Sequence, residues 1–253
     1  MKSMNLFLAA SVCLTCLLGV NLPVSANVIN LNPAADTALF QGNPDNNLGG
    51  HTNFAAGTMA NGSVSRALLS FAPGGAIPAD AVINSVTLSL RITASGGQSA
   101  MFELHSALTG WGEGNKTGQN GAPATAGEAT WKANFASTSL WGTPGGLAGT
   151  DFAPDSSASA LAGASTLVFN STPGMVADVR SWLNNPSGDF GWFLMCQSES
   201  TLNTARRFAS DEDALGRGPV LTIDYTPVPE PSTLSIFGLA AVGAFWSQRR
   251  RRA

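Results

Sequence analysis

Ile83-Asn84-Ser85-Val86-Thr87-Leu88-Ser89-Leu90-Arg91-Ile92-Thr93 puts Val86, Leu88, Leu90 and Ile92 on one side of an extended chain and Thr87, Ser89, Arg91 and Thr93 on the other. A repeat of two is the signature of a strand with one face buried and one wet. Val220-Leu221-Thr222-Ile223-Asp224-Tyr225 repeats it, with Leu221, Ile223 and Tyr225 inward. Shorter runs at Arg66–Phe71, Ala100–Leu104, Thr166–Phe169, Phe190–Met195 and Arg206–Ala209 read as further strands. Turns such as Pro73-Gly74-Gly75 and Thr143-Pro144-Gly145-Gly146 separate them, and the chain holds 28 Gly and 14 Pro with only 11% charged residues. Many short strands joined by tight turns give that composition.

One segment changes period. After Thr172-Pro173, the residues Met175, Val176, Val179, Trp182 and Leu183 recur at helical spacing. Thr172 is a fitting N-cap and Pro173 suits the first helical position, so a helix is predicted over 173–184 with Trp182 in the core. The expected fold is therefore all-β: a jelly-roll-like antiparallel β-sandwich with one short helix.

The ends read differently from the middle. Lys2, an apolar stretch from Leu6 to Val20 and then Val24-Ser25-Ala26 have the layout of a secretory signal peptide, predicted over 1–26. A buried core helix leaves Lys2 and the small-residue step unexplained. Cys13 and Cys16 fall inside this leader, which leaves Cys196 alone in the mature chain. Its fold is then expected to stand on packing without an intrachain disulfide. At the other end Val228-Pro229-Glu230-Pro231-Ser232 precedes an apolar run from Leu234 to Trp246 and then Arg249-Arg250-Arg251-Arg252. The prolines break regular structure, the run suits a short membrane helix, and the arginines would stay on the cytoplasmic side. An ordinary membrane anchor is the alternative.

Setting aside Lys2 and the four terminal arginines from the 13 bases, and Glu230 from the 16 acids, leaves 8 against 15 in the central domain, a net of −7. An acidic domain repels phosphate backbones, which argues against nucleic acid as partner.

Pro229, Glu230 and Pro231, the short apolar helix and the basic end together resemble the PEP-CTERM sorting signal of Gram-negative bacteria, placed at 227–253. The resemblance implies recognition by an exosortase, transient insertion in the inner membrane, and delivery to the cell surface or an extracellular matrix. Residues 27–226 resemble a second family. Asp36-Thr37-Ala38-Leu39, then Gly42-Asn43-Pro44-Asp45-Asn46-Asn47-Leu48-Gly49, are similar to the opening of DNRLRE-type domains. Arg66–Phe71, Ile77-Pro78-Ala79 and the 83–93 strand follow in that family's order. So do Trp111-Gly112-Glu113-Gly114, Ala129-Thr130-Trp131, Trp141-Gly142, Asp189-Phe190-Gly191-Trp192 and Arg207-Phe208-Ala209-Ser210. Phe190 departs from the family's usual Tyr, and the 147–165 loop is long and rich in Ala and Ser. These β-sandwich modules are grouped with carbohydrate-binding modules, so the resemblance implies non-catalytic binding of extracellular polysaccharide or adhesion within a matrix.

Catalytic signals are weak. No Gly-x-Ser-x-Gly elbow accompanies His51 or His105, and an exported hydrolase would need a nucleophile with its base or two facing carboxylates. Glu113 with Glu128 and Asp211 with Asp213 are the carboxylate pairs to watch, against a reading as solvated loop charges. Gly110–Thr117 imitates a phosphate loop but carries Asn115 where glycine is required. Asp45-Asn46-Asn47-Leu48-Gly49-Gly50 starts like a calcium loop but has Ala56 at its twelfth position, and a calcium ion held there by Asp and backbone carbonyls stays open. No zinc spacing exists, and no cofactor is expected.

Sugar sites stack aromatic faces on a pyranose and orient it with a few polar groups. Trp111, Trp131 and Trp141 lie in Gly-rich loops and are the candidate binding residues; the competing reading has them plug the ends of the sandwich. The expectation is thus an exported, non-catalytic surface or matrix protein that binds or organises polysaccharide. A polysaccharide lyase or glycosidase on the same sandwich, and a purely structural surface protein, are the alternatives.

Overall fold

A computed structural model describes residues 25–228. Most of the predicted leader, the sorting residues Pro229, Glu230 and Pro231 and the apolar run after them lie outside the described residues. Among the described residues no helix is long and apolar enough to cross a membrane.

The chain is mostly β, built as a curled antiparallel sheet with one α-helix among the described residues. The strand that alternates most clearly is also the longest, β6 at Val82–Ser95. Its first half pairs with β15 (Val220–Thr226), its middle with β12 (Thr166–Phe169) and its far end with β14 (Arg206–Ala209). Register shifts between Arg207 and Phe208 and between Asp224 and Tyr225 mark the irregular ladder positions that let such a sheet bend. β1 (Asn27–Leu31) extends the β15 side. On the other side β14 pairs with β4 (Asn53–Thr58), which meets β5 (Val64–Ser70). β5 in turn pairs with β2 (Ala35–Phe40) and β13 (Trp192–Cys196). β7 (Met101–Ser106) and β11 (Ala158–Leu161) finish that side. Four short strands occupy the loops: β3 (Asn46–Asn47), β8 (Ala122–Pro123), β9 (Ala133–Phe135) and β10 (Ser139–Leu140).

The alternation predicted for β6 holds, with Val86, Leu88, Leu90 and Ile92 buried, and so does the inward face of β15, where Leu221 and Ile223 are buried. Helix α1 runs from Pro173 to Asn184, and Thr172 caps it through an Oγ1 that accepts from Met175 N at 3.1 Å. Its buried stripe is Met175, Val179, Trp182 and Leu183, laid against β6.

β2, β5 and β13 are buried on both faces. Ala38, Phe40, Ala67, Leu69, Trp192 and Leu194 look into the main core, while Leu39, Leu68, Phe193 and Met195 look into a second apolar cluster. That second face needs a cover because each apolar side chain left wet forgoes about 1.5–3 kcal/mol. The cover is the long connection between β7 and β11, which folds back and contributes Ala107, Ala129, Trp131, Trp141 and Phe152. Gly191, with φ +72°, leads into β13 under the backbone of Leu69 and Ser70, where a methyl group would collide with Leu69 O. Only glycine suits that left-handed, crowded position.

Candidate functional site

The three candidate tryptophans share the second cluster, and their rings are largely used by the protein itself. Trp141 is buried, 5.4 Å from Phe193, with Nε1 donating to Thr130 O at 2.8 Å. Trp131 is buried beneath the 143–146 turn, where Gly145 N donates to Trp131 O and a methyl group on Gly145 would stand 2.7 Å from the indole. Arg66 fixes the turn from the other side. Its guanidinium grips Glu199 through two bonds of 2.8 Å, donates to Gly145 O, and stands 5.5 Å from the Trp131 ring. Trp111 is only partly buried, its Nε1 bonded to Phe190 O at 2.9 Å, and it keeps some exposed surface. Stacking a sugar on Trp131 or Trp141 would first require moving this loop.

A different group of side chains is brought together. Asp36 on β2 is 2% exposed. Its backbone N donates to Glu113 Oε1 and its Oδ2 accepts from Asp211 N, both at 2.9 Å. Carboxylate oxygens of Asp36, Asp211 and Glu212 lie within 4.8 Å of one another. Glu212 Oε2 is sealed from solvent and accepts no hydrogen bond. The ion pairs among the described residues join Arg66 to Glu199, Lys116 to Glu128, Lys132 to Asp45, Arg217 to Asp213 and His105 to Glu103, and none reaches these four acids. Burial pushes Asp36 well above the usual carboxylate range, with Asp211 next in effect. Burial also raises Glu113, and burial followed by a hydrogen bond with Asp211 pushes Glu212 up to about 7.

The spacing-based pairs are thus re-sorted. Glu128 belongs to Lys116 and Asp213 to Arg217, while Glu113 and Asp211 converge on Asp36. Asp45, the start of the calcium-like loop, is exposed and held by Lys132 at 2.8 Å. Asn47 from that loop is instead an interior clasp. Its amide donates to Glu113 O, Ala129 O and Thr37 Oγ1, and its Oδ1 accepts from Gly49 N and Lys116 N. The phosphate-loop imitation is occupied too, since Asn115 N points at Glu128 Oε1. His105 is buried against Phe152 with Nδ1 on Ala153 O, and His51 bonds the backbone of Asn53.

Asp189, in the loop between α1 and β13, carries a testable consequence. Its Oδ1 is buried without a partner, and burial raises its pKa to about 7 although Gly191 donates a backbone hydrogen bond. The folded chain therefore holds a proton that the unfolded chain releases above pH 4, so this group costs stability as pH rises from about 4 to about 7. Asp189→Asn is expected to stabilise the protein at pH 8 by about 1–2 kcal/mol, a figure discounted for partial exposure, with little effect at pH 4. Urea unfolding of both proteins at the two pH values checks it; an equal effect at both would reject the titration.

A shallow hollow of about 180 Å³ lies beside Arg207, bordered by Phe40, Met59, Ser65, Ser95 and Asn120. Arg207 donates through Nη2 to Gln119 O and takes part in none of the ion pairs among the described residues.

A family model for the PEP-CTERM protein-sorting motif matches residues 227–251. No curated protein matches the chain. The motif implies that the protein is exported and processed by a membrane-associated exosortase, which makes Pro229, Glu230 and Pro231 part of an address.

Proposed function

We propose that residues 27–226 are a non-catalytic, jelly-roll-like β-sandwich that binds or organises polysaccharide at the cell surface or in an extracellular matrix. The observation that carries the reading is the sorting motif standing directly behind a β-rich domain. The ordered DNRLRE-type landmarks add to it, since three of them, around Asp36, Glu113 and Ser210, meet at one place in the fold. For glycan contact the hollow beside Arg207 and the exposed part of Trp111 offer what a sugar site uses: an apolar floor, a few orienting polar groups and an aromatic edge.

Trp131→Ala or Trp141→Ala would open the second core, so loss of binding in them would mean little. Retention of the purified protein on a panel of insoluble polysaccharides, compared with Arg207→Ala and Trp111→Ala, is the informative test. Retention by the parent and a loss of at least about tenfold in one variant, equivalent to about 1.4 kcal/mol, is expected. Retention of no form on any glycan favours the purely structural surface protein. The enzyme alternative would fall on the gathered carboxylates, and release of reducing or unsaturated ends during incubation would overturn the non-catalytic reading.

A further inference from the structure

We infer that Asn115 is the acceptor for a glycan attached through its side-chain amide. An Asn followed two places on by Ser or Thr, with any residue but Pro between, is the pattern that such attachment uses in exported proteins. The chain has that pattern at Asn61-Gly62-Ser63, Asn115-Lys116-Thr117 and Asn170-Ser171-Thr172, and the sorting motif implies export. All three asparagines are exposed, so amide access does not choose between them. The third position does. The pattern demands a hydroxyl there, and that oxygen must be open to the transferase as well.

Thr172 is committed to the fold: its Oγ1 donates to Ser157 O and accepts from Met175 N as the cap of α1. Ser63 Oγ is sealed from solvent, and a methyl group on Gly42 would stand 2.7 Å from it. Thr117 differs from both. It is exposed, its hydroxyl takes part in no hydrogen bond among the described residues, and the exposed run continues through Asn120. The backbone beneath is fixed, with Asn115 N on Glu128 Oε1, Lys116 N on Asn47 Oδ1 and Lys116 O accepting from Gly50 N. Asn115 Oδ1 accepts from Lys116 Nζ at 3.0 Å, which leaves Nδ2 without a bond inside the domain. In the transfer, Nδ2 attacks C1 of a sugar carried on a polyprenyl diphosphate by an oligosaccharyltransferase. The C1–O bond breaks, the diphosphate leaves with its electron pair, and Nδ2 gives up one proton to a base of the enzyme. This inference does not depend on the polysaccharide reading, and either can fail while the other stands.

The test is mass-spectrometric peptide mapping of the protein as its own host exports it. A glycan is expected on the segment holding Asn115, lost in Asn115→Gln and in Thr117→Ala, and kept in Thr117→Ser, Asn61→Gln and Asn170→Gln. Because the Thr117 hydroxyl bonds to nothing in the domain, Thr117→Ala should melt as the parent does, which separates loss of the acceptor pattern from misfolding. An unmodified Asn115 in the exported parent, or a glycan that survives Thr117→Ala, would overturn the assignment. A glycan on Asn61 or Asn170 would overturn the selection by hydroxyl access.

Discussion

Asn47→Ala is expected to lower the free energy of unfolding by about 4 kcal/mol, read as a drop in urea midpoint with an unchanged denaturant slope. Asn47 is fully buried. Its amide group ties together three segments: β2 through Thr37, the 113–116 loop through Glu113 O and Lys116 N, and the approach to Trp131 through Ala129 O. Its Oδ1 also closes its own turn by accepting from Gly49 N at 2.9 Å. Alanine would leave two carbonyls and two N–H groups in a dry interior, each worth about 1–3 kcal/mol when orphaned, with some relief as water or backbone shifts in. Nothing else fits the position easily: a methyl group on Gly114 would collide with the Asn47 amide, and one on Gly121 with Asn47 O. Asn47→Asp is the sharper control. It keeps the acceptor that serves Gly49 N and Lys116 N, but loses both donors and sets a charge against Glu113 O and Ala129 O. A loss at least as large as that of alanine is expected, and a cost below about 1 kcal/mol for either variant would remove Asn47 from its role as clasp.

Those contacts explain what could be read from the sequence and what could not. Strands β12 and β14 and helix α1 have the bounds that the sequence reading gives: β12 alternates, with Leu167 and Phe169 inward, and α1 shows a helical stripe behind a Thr cap, whereas β14, Arg-Arg-Phe-Ala, is fixed by its pairing with β4 and β6. β13 starts at Trp192, two residues later than the apolar run suggests, since Gly191 takes a positive φ under Leu69 O. β4 and β11 have sequences of small residues, Asn-Phe-Ala-Ala-Gly-Thr and Ala-Ser-Ala-Leu, whose alternation is too weak to see. They are strands because β14, β5 and β7 offer edges.

The positions of Trp131 and Trp141 escape the sequence for a related reason. Gly-rich loops usually run over the surface, but β2, β5 and β13 have apolar side chains on both faces, and the 107–157 connection is drawn down to cover the second one. Trp131 and Trp141 are carried inside with it. The five consecutive buried residues of β13 are the sequence trace of this double burial. The carboxylate cluster had no such trace. Asp36 lies 77 residues from Glu113 and 175 from Asp211, so spacing paired each acid with the wrong neighbour. The chain crossing that unites them is a property of topology.

Trp192→Ala is the change expected to cost most, about 4–5 kcal/mol. The side chain is fully buried at the start of β13, its ring 4.5 Å from Trp182 at 63° and 6.1 Å from Phe71. Nε1 donates to Asp178 Oδ2 at 2.6 Å, so a single residue joins the sheet to two turns of α1, one through an edge-on ring and one through a carboxylate. Truncation removes the largest fully buried side chain of the main core and leaves a void that close-packed neighbours cannot fill. Asp178 is partly exposed, so water can replace its lost donor, and most of the loss comes from packing. Trp192→Phe separates the two contributions: it keeps an aromatic ring against Trp182 but removes the N–H. It should cost about 1–2 kcal/mol, in part for the bond and in part for the smaller ring. Denaturant unfolding gives both values, and near-ultraviolet circular dichroism reports the Trp182–Trp192 pair directly. If alanine cost no more than phenylalanine, packing of α1 on β13 would not be what holds the helix to the sheet.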